Sequence, residues 1–392
     1  MKIYGVNISH DTSLCVFEDG IVKEVYEEER SRREKYWSAG EADEKSGLLL
    51  VEHKHLDTPD ELVFASFDRR NLKVDFQSKL VSFNRKVQDK ILESFTESQL
   101  TSERIEEIRE ENPDWFNLED NLVDENDLDM SDADYSICED LSEQIGNEDY
   151  FFENEHHLYH AECGYILSPY KDESAVAIAF DGGGAQTHFS DYPNYQEIES
   201  IFRCEPNTTP VPQWKRYSNH RFLGELHNQS FSNYMDDCFA CPTDLEVEID
   251  GVPSIYTSFP SMGMNFSNLS YALGCDDQGR AAGKVMGMAS YGSTGLNTNV
   301  FNKYTVAQEC EVQSYKHTVK LIQRAVDLNP DVKNIILSGG FSLNCTNNYK
   351  YLIDFPDHNI FVDPIPHDGG TAVGAASILN RNILEGESNV AD

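Results

Sequence analysis

Twice along this chain a short apolar strand ends in a polar residue, turns tightly, and is followed by further strands. This repeat limits the fold more than any other feature. The first copy begins with Ile3, Tyr4, Val6 and Ile8 and continues through Leu14, Val16 and Phe17. Asp19-Gly20 is then a hairpin turn signal, and Ile21 to Tyr26 returns as a third strand. The second copy is Ala175 to Phe180, broken at Asp181-Gly182-Gly183-Gly184, with strands near Thr187 to Ser190 and Gln196 to Phe202. The spacing is too long for a solenoid repeat, so it reads as an internal duplication. Further strands are expected at Glu61 to Ser66, Asn334 to Leu337 and Asn359 to Val362, and helices over His317 to Val326 and Gly370 to Leu384. Strand–glycine–helix order is α/β behaviour.

Between the copies the pattern changes. Leu72 to Phe95 has helical apolar spacing, and Glu103 to Glu155 is acid-rich, which reads as a solvated helical insertion. The whole chain carries 31 Lys+Arg against 69 Asp+Glu, a formal net charge of −38. Such a surface repels nucleic-acid phosphate and anionic membranes. No apolar run approaches the roughly 20 residues that span a bilayer, and the first strand runs directly into Asn7, His10 and Asp11, which is no signal-peptide core. Nine scattered cysteines fit reduced thiols in a cytoplasm better than a disulfide framework. The lone C-x-x-C pair, Cys238 and Cys241, reads as two loop thiols.

The sharpest local signal is His156-His157-Leu158-Tyr159-His160. His156 and His160 fall on one helical face and can share a metal, or they are surface histidines on an acidic helix; spacing alone does not choose. Asp181 ends a buried strand where open α/β sheets place ligands, and Asp368 sits between His367 and Gly369-Gly370. Two imidazoles with one or two carboxylates suit iron or manganese, although each Asp alone reads as a turn or cap residue. Gly182–Gly184, Gly339-Gly340 and Gly369-Gly370 follow expected strands and can bring backbone NH groups to an anion. Lys284, within a small-residue segment from Gly283 to Gly292, is either a phosphate-neutralising cation or an exposed helix residue. His10-Asp11 is either an acid–base pair for an acceptor hydroxyl or a polar turn. No P-loop, no dinucleotide fingerprint and no G-x-S-x-G elbow occurs.

These residues resemble those of the carbamoyltransferase family that includes the nodulation, cephamycin and tobramycin O-carbamoyltransferases. That family belongs to the Kae1/TsaD-like branch of the actin–sugar kinase–Hsp70 superfamily. The similar stretches run in order: GVNISHDTSLCVFEDGIVKEVYEEERSRREKYW from Gly5, HHLYHA from His156, AIAFDGGG from Ala177, GKVMGMASYG from Gly283, LSGGFSLNC from Leu337 and IPHDGGTAVGAA from Ile365. The resemblance implies a duplicated RNase H-like, two-lobed α/β fold. The first lobe would span residues 1–170 with an acidic insertion at about 68–155, and the second 171–392 with a variable insertion at about 205–270. It implies a divalent metal, Fe2+ first, with Mn2+, Mg2+ or Zn2+ as alternatives, held by His156, His160, Asp181 and Asp368. It implies nucleotide contacts from Gly182, Gly183, Gly184, Gly339, Gly340, Asn344, Gly369 and Gly370, and places His10, Asp11 and Lys284 near the reacting groups.

The activity implied is ATP-dependent transfer of a carbamoyl group from carbamoyl phosphate, through carbamoyl-adenylate, to a hydroxyl of a small molecule such as a nucleotide or sugar. Members of the family commonly continue into a YrdC-like domain that makes the adenylate. Here only a closing helix follows Asp368, so a separate YrdC-like protein or this domain itself is expected to supply it. Ser290 stands where proline is usual. The stretch from Trp214 to Pro260 is expected to help choose the acceptor. A tRNA-carbamoylating factor and a nucleotide-binding module without turnover are the rivals, and the net charge speaks against direct nucleic-acid contact. No membrane contact is expected, and oligomeric state is left open, a homodimer included.

Overall fold

The structure, a computed structural model, describes residues 1–39, 57–66, 69–71, 132–147, 149–153, 155–188, 195–218, 244–249, 251–257, 261–275, 281–292 and 303–390. The helix expected over Leu72 to Phe95 and the Cys238/Cys241 pair lie outside these residues.

The first lobe opens with β1 (Lys2–Asn7), β2 (Ser13–Glu18) and β3 (Ile21–Glu27), then α1 (Glu28–Arg32), β4 (Glu61–Ala65), β5 (Arg69–Asn71), α2 (Asp132–Ile145), β6 (Phe151–Glu153) and α3 (His156–Leu167). Its sheet runs β3-β2-β1-β4-β6. The β1–β2 and β2–β3 pairs are antiparallel, and β1–β4 and β4–β6 are parallel. Asp19 and Gly20 both take positive φ, 51° and 75°, as a tight hairpin turn requires.

The second lobe contains β7 (Ala175–Phe180), β8 (Gln186–His188), β9 (Tyr195–Cys204), β10 (Val211–Ser218), β11 (Asp244–Ile249) and β12 (Val252–Thr257). It continues with α4 (Met262–Ala272), α5 (Ala282–Ala289), α6 (Lys303–Leu328), β13 (Asn334–Ser338), α7 (Cys345–Asp354), β14 (Asn359–Val362) and α8 (Thr371–Val390). Within its larger sheet the run β10-β9-β7-β13-β14 repeats the first lobe's order, with the same antiparallel and parallel pairings. This strand order, three antiparallel strands followed by two parallel ones, is the RNase H-like arrangement in duplicate.

Strand β7 shows why the lobes pack as they do. All six residues are buried, as expected of a central strand covered on both faces. Side chains alternate across a strand. Val176, Ile178 and Phe180 join the core formed with α4, α5 and α6, while Ala175, Ala177 and Ala179 face Ala161 and Tyr165 of α3. The alanines let α3 lie close to the sheet. The opposite side of α3 presents Tyr159 and Cys163 to a different core, shared with β1, β2, β4 and α8. Buried on two sides, α3 has little room for a polar face, and nine of its 12 residues from His156 to Tyr165 are buried.

Two expected boundaries change. The closing helix α8, placed in the second lobe from sequence, packs on the first sheet: Ala372, Val373, Ala376 and Leu379 share a core with Ile3, Phe17 and Val63. Gly374 makes this possible, because a Cβ there would sit 2.1 Å from the carbonyl oxygen of Tyr159. The end of the acidic segment is also not a solvated appendage. Cys138, Leu141 and Ile145 of α2 are buried against Tyr4, Val6 and Phe64, and β6 extends the first sheet. Three buried apolar residues at helical spacing suffice to seat α2 even though its other faces are acidic. Likewise β10 and β12, within the expected variable insertion, are sheet strands. No described helix is long and apolar enough to cross a membrane.

Candidate functional site

Four groups distant in sequence converge where the lobes meet. His156 and His160 lie one turn apart on buried α3, with their Nε2 atoms 3.2 Å from each other. Asp181 follows β7. Its Oδ1 accepts hydrogen bonds from the backbone N–H of Gly182 at 2.7 Å and of Gly340 at 3.1 Å, which turns Oδ2 toward His156 Nε2 at 3.3 Å. Asp368 begins a 3-10 turn, Asp368–Gly370, whose cap residue His367 accepts from the N–H of Gly369. Asp368 Oδ1 lies 3.6 Å from Nε2 of both histidines. One ligand atom from each of the four residues falls within 4.8 Å of the others, and all four residues are buried.

This donor set fits a divalent ion. Ligand atoms at about 2.0–2.2 Å from a cation in tetrahedral or octahedral array stand about 3–3.5 Å apart, close to the separations found here. Two imidazole nitrogens aimed at each other share at most one proton, so their approach makes better sense around a cation. His160 Nδ1 is buried without a hydrogen-bond partner, so its ring is held by packing. Two nitrogens and two carboxylate oxygens suit iron, manganese or zinc by donor type, and the geometry does not choose among them.

The charges are strongly perturbed. Burial acts to lower His156, but the carboxylates of Asp368 and Asp181 outweigh it and raise the imidazole to about 10. His160 is lowered, by burial and then by the adjacent His156 charge. Burial pushes Asp368 up, yet the charges of His10 and His156 hold it well below the usual carboxylate value. His10 is clamped between two acids: Nδ1 lies 3.1 Å from Asp11 Oδ2, and Nε2 3.2 Å from Asp368 Oδ2. With both ring nitrogens facing acceptors it is raised to about 9 against the effect of burial. It places a protonatable imidazole, held by two carboxylates, at the edge of the cluster. The loop holding it is braced by Asn7, whose Nδ2 donates to the His10 carbonyl at 3.0 Å. Asp11 adopts φ 58°, an uncommon conformation for a non-glycine residue.

A cavity of about 560 Å³ opens beside the cluster, lined by His10, Asp11, Asp181, Asp368, Gly182, Gly183, Gly340 and Asn344 among others. These are eight of the residues singled out from sequence. Gly184, Gly339, Gly369 and Gly370 do not line this cavity and are closely packed. A Cβ on Gly184 would strike the His157 ring, and one on Gly370 would strike the carbonyl of Ile365. Gly339 takes φ 85°, with a Cβ position 2.4 Å from the Phe180 carbonyl oxygen, so no other residue fits there. A Cβ on Gly369 would press on the His367 ring. Lys284 is not brought to the site: it is exposed and its ammonium donates to the Cys275 carbonyl at 2.9 Å. Its neighbours Gly283 and Met286 line the cavity, together with Lys35 and Tyr36. Lys35 is thus the lysine at the wall, and it belongs to the Gly5–Trp37 stretch already noted.

Sequence reasoning also passed over the residues that brace the site. His157, which points away from the cluster, forms a buried network in which Nδ1 lies 2.9 Å from Ser200 Oγ, Ser200 donates to Glu197, and Glu197 pairs with Lys215 at 3.1 Å. The Glu197 carbonyl accepts from the Gly184 N–H at 2.7 Å, which pins the glycine loop. Asn344 is held by Glu311, whose Oε2 accepts from its Nδ2 at 3.1 Å. No spacing rule joins residues so far apart in sequence.

Comparison with known proteins places this geometry in a family. The profile described as "Carbamoyltransferase N-terminus" matches residues 2–329 and 318–377. Uncharacterized protein sll1178 of Synechocystis sp. is 23% identical over 250 residues, which cover 60% of this chain and 38% of that protein. The chain thus spans well under half the length of that curated relative. Among solved structures, HypF of T. kodakarensis is 13% identical with a TM-score of 0.47, covering 98% of this chain and 48% of that one. A ROK family protein from Streptococcus pneumoniae TIGR4, in complex with sucrose, is 11% identical with a TM-score of 0.44, covering 99% and 100%. Likenesses this weak carry no functional argument, and the fold rests on the strand order above. The profile match extends over both lobes and all four clustered residues, and this chain belongs to the carbamoyltransferase N-terminus family.

Proposed function

We propose that this chain carries the metal- and nucleotide-holding site of an ATP-dependent O-carbamoyltransferase, which moves a carbamoyl group from carbamoyl phosphate, via carbamoyl-adenylate, to a hydroxyl of a small molecule. One observation carries the reading: Asp181 and Asp368, the carboxylates of the His156–His160–Asp181–Asp368 cluster, line a cavity whose other walls include Gly182, Gly183, Gly340 and Asn344. When bound, a divalent ion there would supply positive charge to a phosphate and to the oxyanion that develops as a mixed anhydride breaks.

The protein's own groups have distinct tasks. Gly182, Gly183 and Gly340 allow a ligand to approach the backbone closely. Lys35 and the protonatable imidazole of His10 line the same space in a chain that is otherwise strongly acidic. Asp11, at the cavity wall beside His10, is assigned to orient the acceptor hydroxyl and receive its proton. Phe266 and Phe341 supply apolar wall on which a nucleobase can pack.

The test is product analysis. The protein is incubated with a divalent metal, ATP, carbamoyl phosphate and a panel of sugars, nucleosides and nucleotides, with and without a YrdC-like protein, and products are read by mass spectrometry. A gain of one carbamoyl group on a hydroxyl compound, absent from Asp368→Asn protein, supports the assignment. Absence of any carbamoylated product, and of any carbamoyl-adenylate, while the protein binds metal and ATP would leave a binding module without turnover.

A further inference from the structure

The cavity beside the proposed metal site has two side-chain carboxamides among its described lining residues, and they differ in one respect. Asn344 is engaged at both ends: its Nδ2 donates to Glu311 Oε2 at 3.1 Å, and its Oδ1 accepts from Thr346 Oγ1 at 2.7 Å. Gln196, near the start of β9, lines the same cavity and is half-buried. Among the described residues its side-chain amide makes no hydrogen bond. That amide lies against the glycine loop, where a Cβ on Gly183 would sit 2.2 Å from Gln196 Oε1. The bare backbone of Gly183 is what leaves room for it.

The imidazoles and cluster carboxylates of the wall already have partners. His10 lies between Asp11 and Asp368, and His367 accepts from the Gly369 N–H at 3.2 Å while its Nε2 lies 3.0 Å from Glu27. Asp181 Oδ1 accepts from two backbone N–H groups. Gln196 therefore offers both a free donor and a free acceptor on one planar group. A carbamoyl group is planar too, and presents a carbonyl oxygen beside an amino group. An ammonium or imidazolium can meet only its oxygen, and a carboxylate only its nitrogen, whereas a carboxamide meets both at once. Position agrees with chemistry. In carbamoyl-adenylate a single bridging oxygen joins the carbamoyl carbon to phosphorus, so a group that reads the carbamoyl must stand beside whatever holds the phosphate. The Gln196 amide packs on Gly183, in the loop assigned above to close approach of the ligand.

We propose that Gln196 is a specificity-determining residue that reads the carbamoyl group: its Nε2 donates to the carbamoyl oxygen, and its Oε1 accepts from the carbamoyl amino group. This assignment rests on the function proposed above and sharpens it, by naming the residue that selects which acyl group the site accepts. Acetyl is the relevant competitor. It has nearly the same size and the same carbonyl, but a methyl group where the carbamoyl has its amino group. An acetyl-adenylate keeps the first hydrogen bond and turns a methyl group toward Gln196 Oε1, which then loses its partner. A site that hydrogen-bonds a substrate N–H rejects the analogue lacking it, here by about tenfold or more.

The experiment is isothermal titration calorimetry of the intact, Mn2+-loaded chain with two stable adenylate mimics, the N-carbamoyl and N-acetyl derivatives of 5′-O-sulfamoyladenosine. These differ only in an amino group against a methyl group. Wild-type protein should bind the carbamoyl mimic at least about tenfold more tightly. Gln196→Leu and Gln196→Met should each bring the ratio of the two affinities close to unity, the methionine matching glutamine in length so that packing on Gly183 is kept. A merely structural role for Gln196 would weaken both mimics alike and leave the ratio intact. Binding of both mimics by wild-type protein without preference, or a preference undiminished in the variants, overturns the assignment of Gln196 while the nucleotide site stands. Binding of neither mimic by wild-type protein overturns the carbamoyl-adenylate reading itself, and the role of Gln196 with it.

Discussion

His10 Nε2 lies 3.2 Å from Asp368 Oδ2, a contact that ties the first lobe's opening loop to the last turn before the closing helix. The other oxygen of Asp368 faces His156 and His160 at 3.6 Å. Asp368 therefore links the cluster of proposed ligands to the imidazole lining the cavity. A charge placed in the cluster is felt directly at His10, so metal loading and the electrostatics of the cavity are coupled through one carboxylate.

His160→Ala should abolish stoichiometric metal binding while keeping the fold. The loss should exceed the roughly 10–100-fold typical of removing only an outer hydrogen-bond partner of a ligand. Elemental analysis of purified wild-type and variant protein, with circular dichroism as the folding control, is the check. Equal metal content in the two proteins would remove His160 from the ligand set.

The two oxygens of Asp181 do different work, and two substitutions separate them. Oδ1 accepts from Gly182 and Gly340, while Oδ2 faces His156. Asp181→Asn can keep the backbone hydrogen bonds through its carbonyl oxygen but loses the charge. It should weaken metal binding with little change in the urea midpoint. Asp181→Ala should weaken metal binding as much and cost a further ~1–3 kcal/mol, because two backbone N–H groups lose their acceptor. Identical stabilities for the two variants would show that the Oδ1 contacts contribute nothing.

The parts of this architecture that sequence could reveal are those carried by local pattern. Ala175 to Phe180 announces a buried strand because it is wholly apolar, and Asp181 gains meaning from ending it. His156 and His160 announce a shared face by their spacing. What spacing could not settle was burial: the same four-residue interval describes a solvated helix and one wedged between two lobes. Only the alanine face of β7 and the small residues of α8, read together, show that α3 is enclosed. Lys284 misled for a related reason. Glycine neighbours suggested a phosphate cradle, but the helix phase of α5 turns the lysine outward while Gly283 and Met286 face the cavity. The assignment of α8 to the first lobe was likewise hidden, because it is a contact between the two ends of the chain.

Gly374→Ala should reach the proposed metal site from a distance. The Cβ would meet the Tyr159 carbonyl at 2.1 Å, and Tyr159 lies between His156 and His160 on α3. Neither helix can yield easily, since α8 is also pressed against β1, where a Cβ on Gly5 would sit 2.0 Å from the Ala372 carbonyl oxygen. Overpacking of this kind costs about 1–3 kcal/mol, occasionally more. Urea denaturation should show that loss, and metal affinity should fall with it as α3 is displaced. A variant as stable as wild type would mean that α3 and α8 are not in this contact.

The Glu199–His317 pair gives a pH signature independent of the metal cluster. Burial pushes the Glu199 carboxyl up, but the charges of His317, Arg216 and Arg324 together hold it below its ordinary 4.5. A carboxyl lowered in the folded state adds stability above its unfolded value, near about 4.3, and loses it as pH falls through the folded value. Replacing His317 by Asn removes the main opposing charge and leaves Glu199 buried, so its folded value should rise above the unfolded one. The variant should then be destabilised by about 1–3 kcal/mol near neutrality. The sign of its pH dependence should reverse, because protonation now favours the folded state. Its deficit relative to wild type should therefore shrink as pH is lowered from about 7 to about 4. Urea midpoints measured across that range decide the matter: a deficit that is constant or grows with acid would show that His317 does not hold the Glu199 charge.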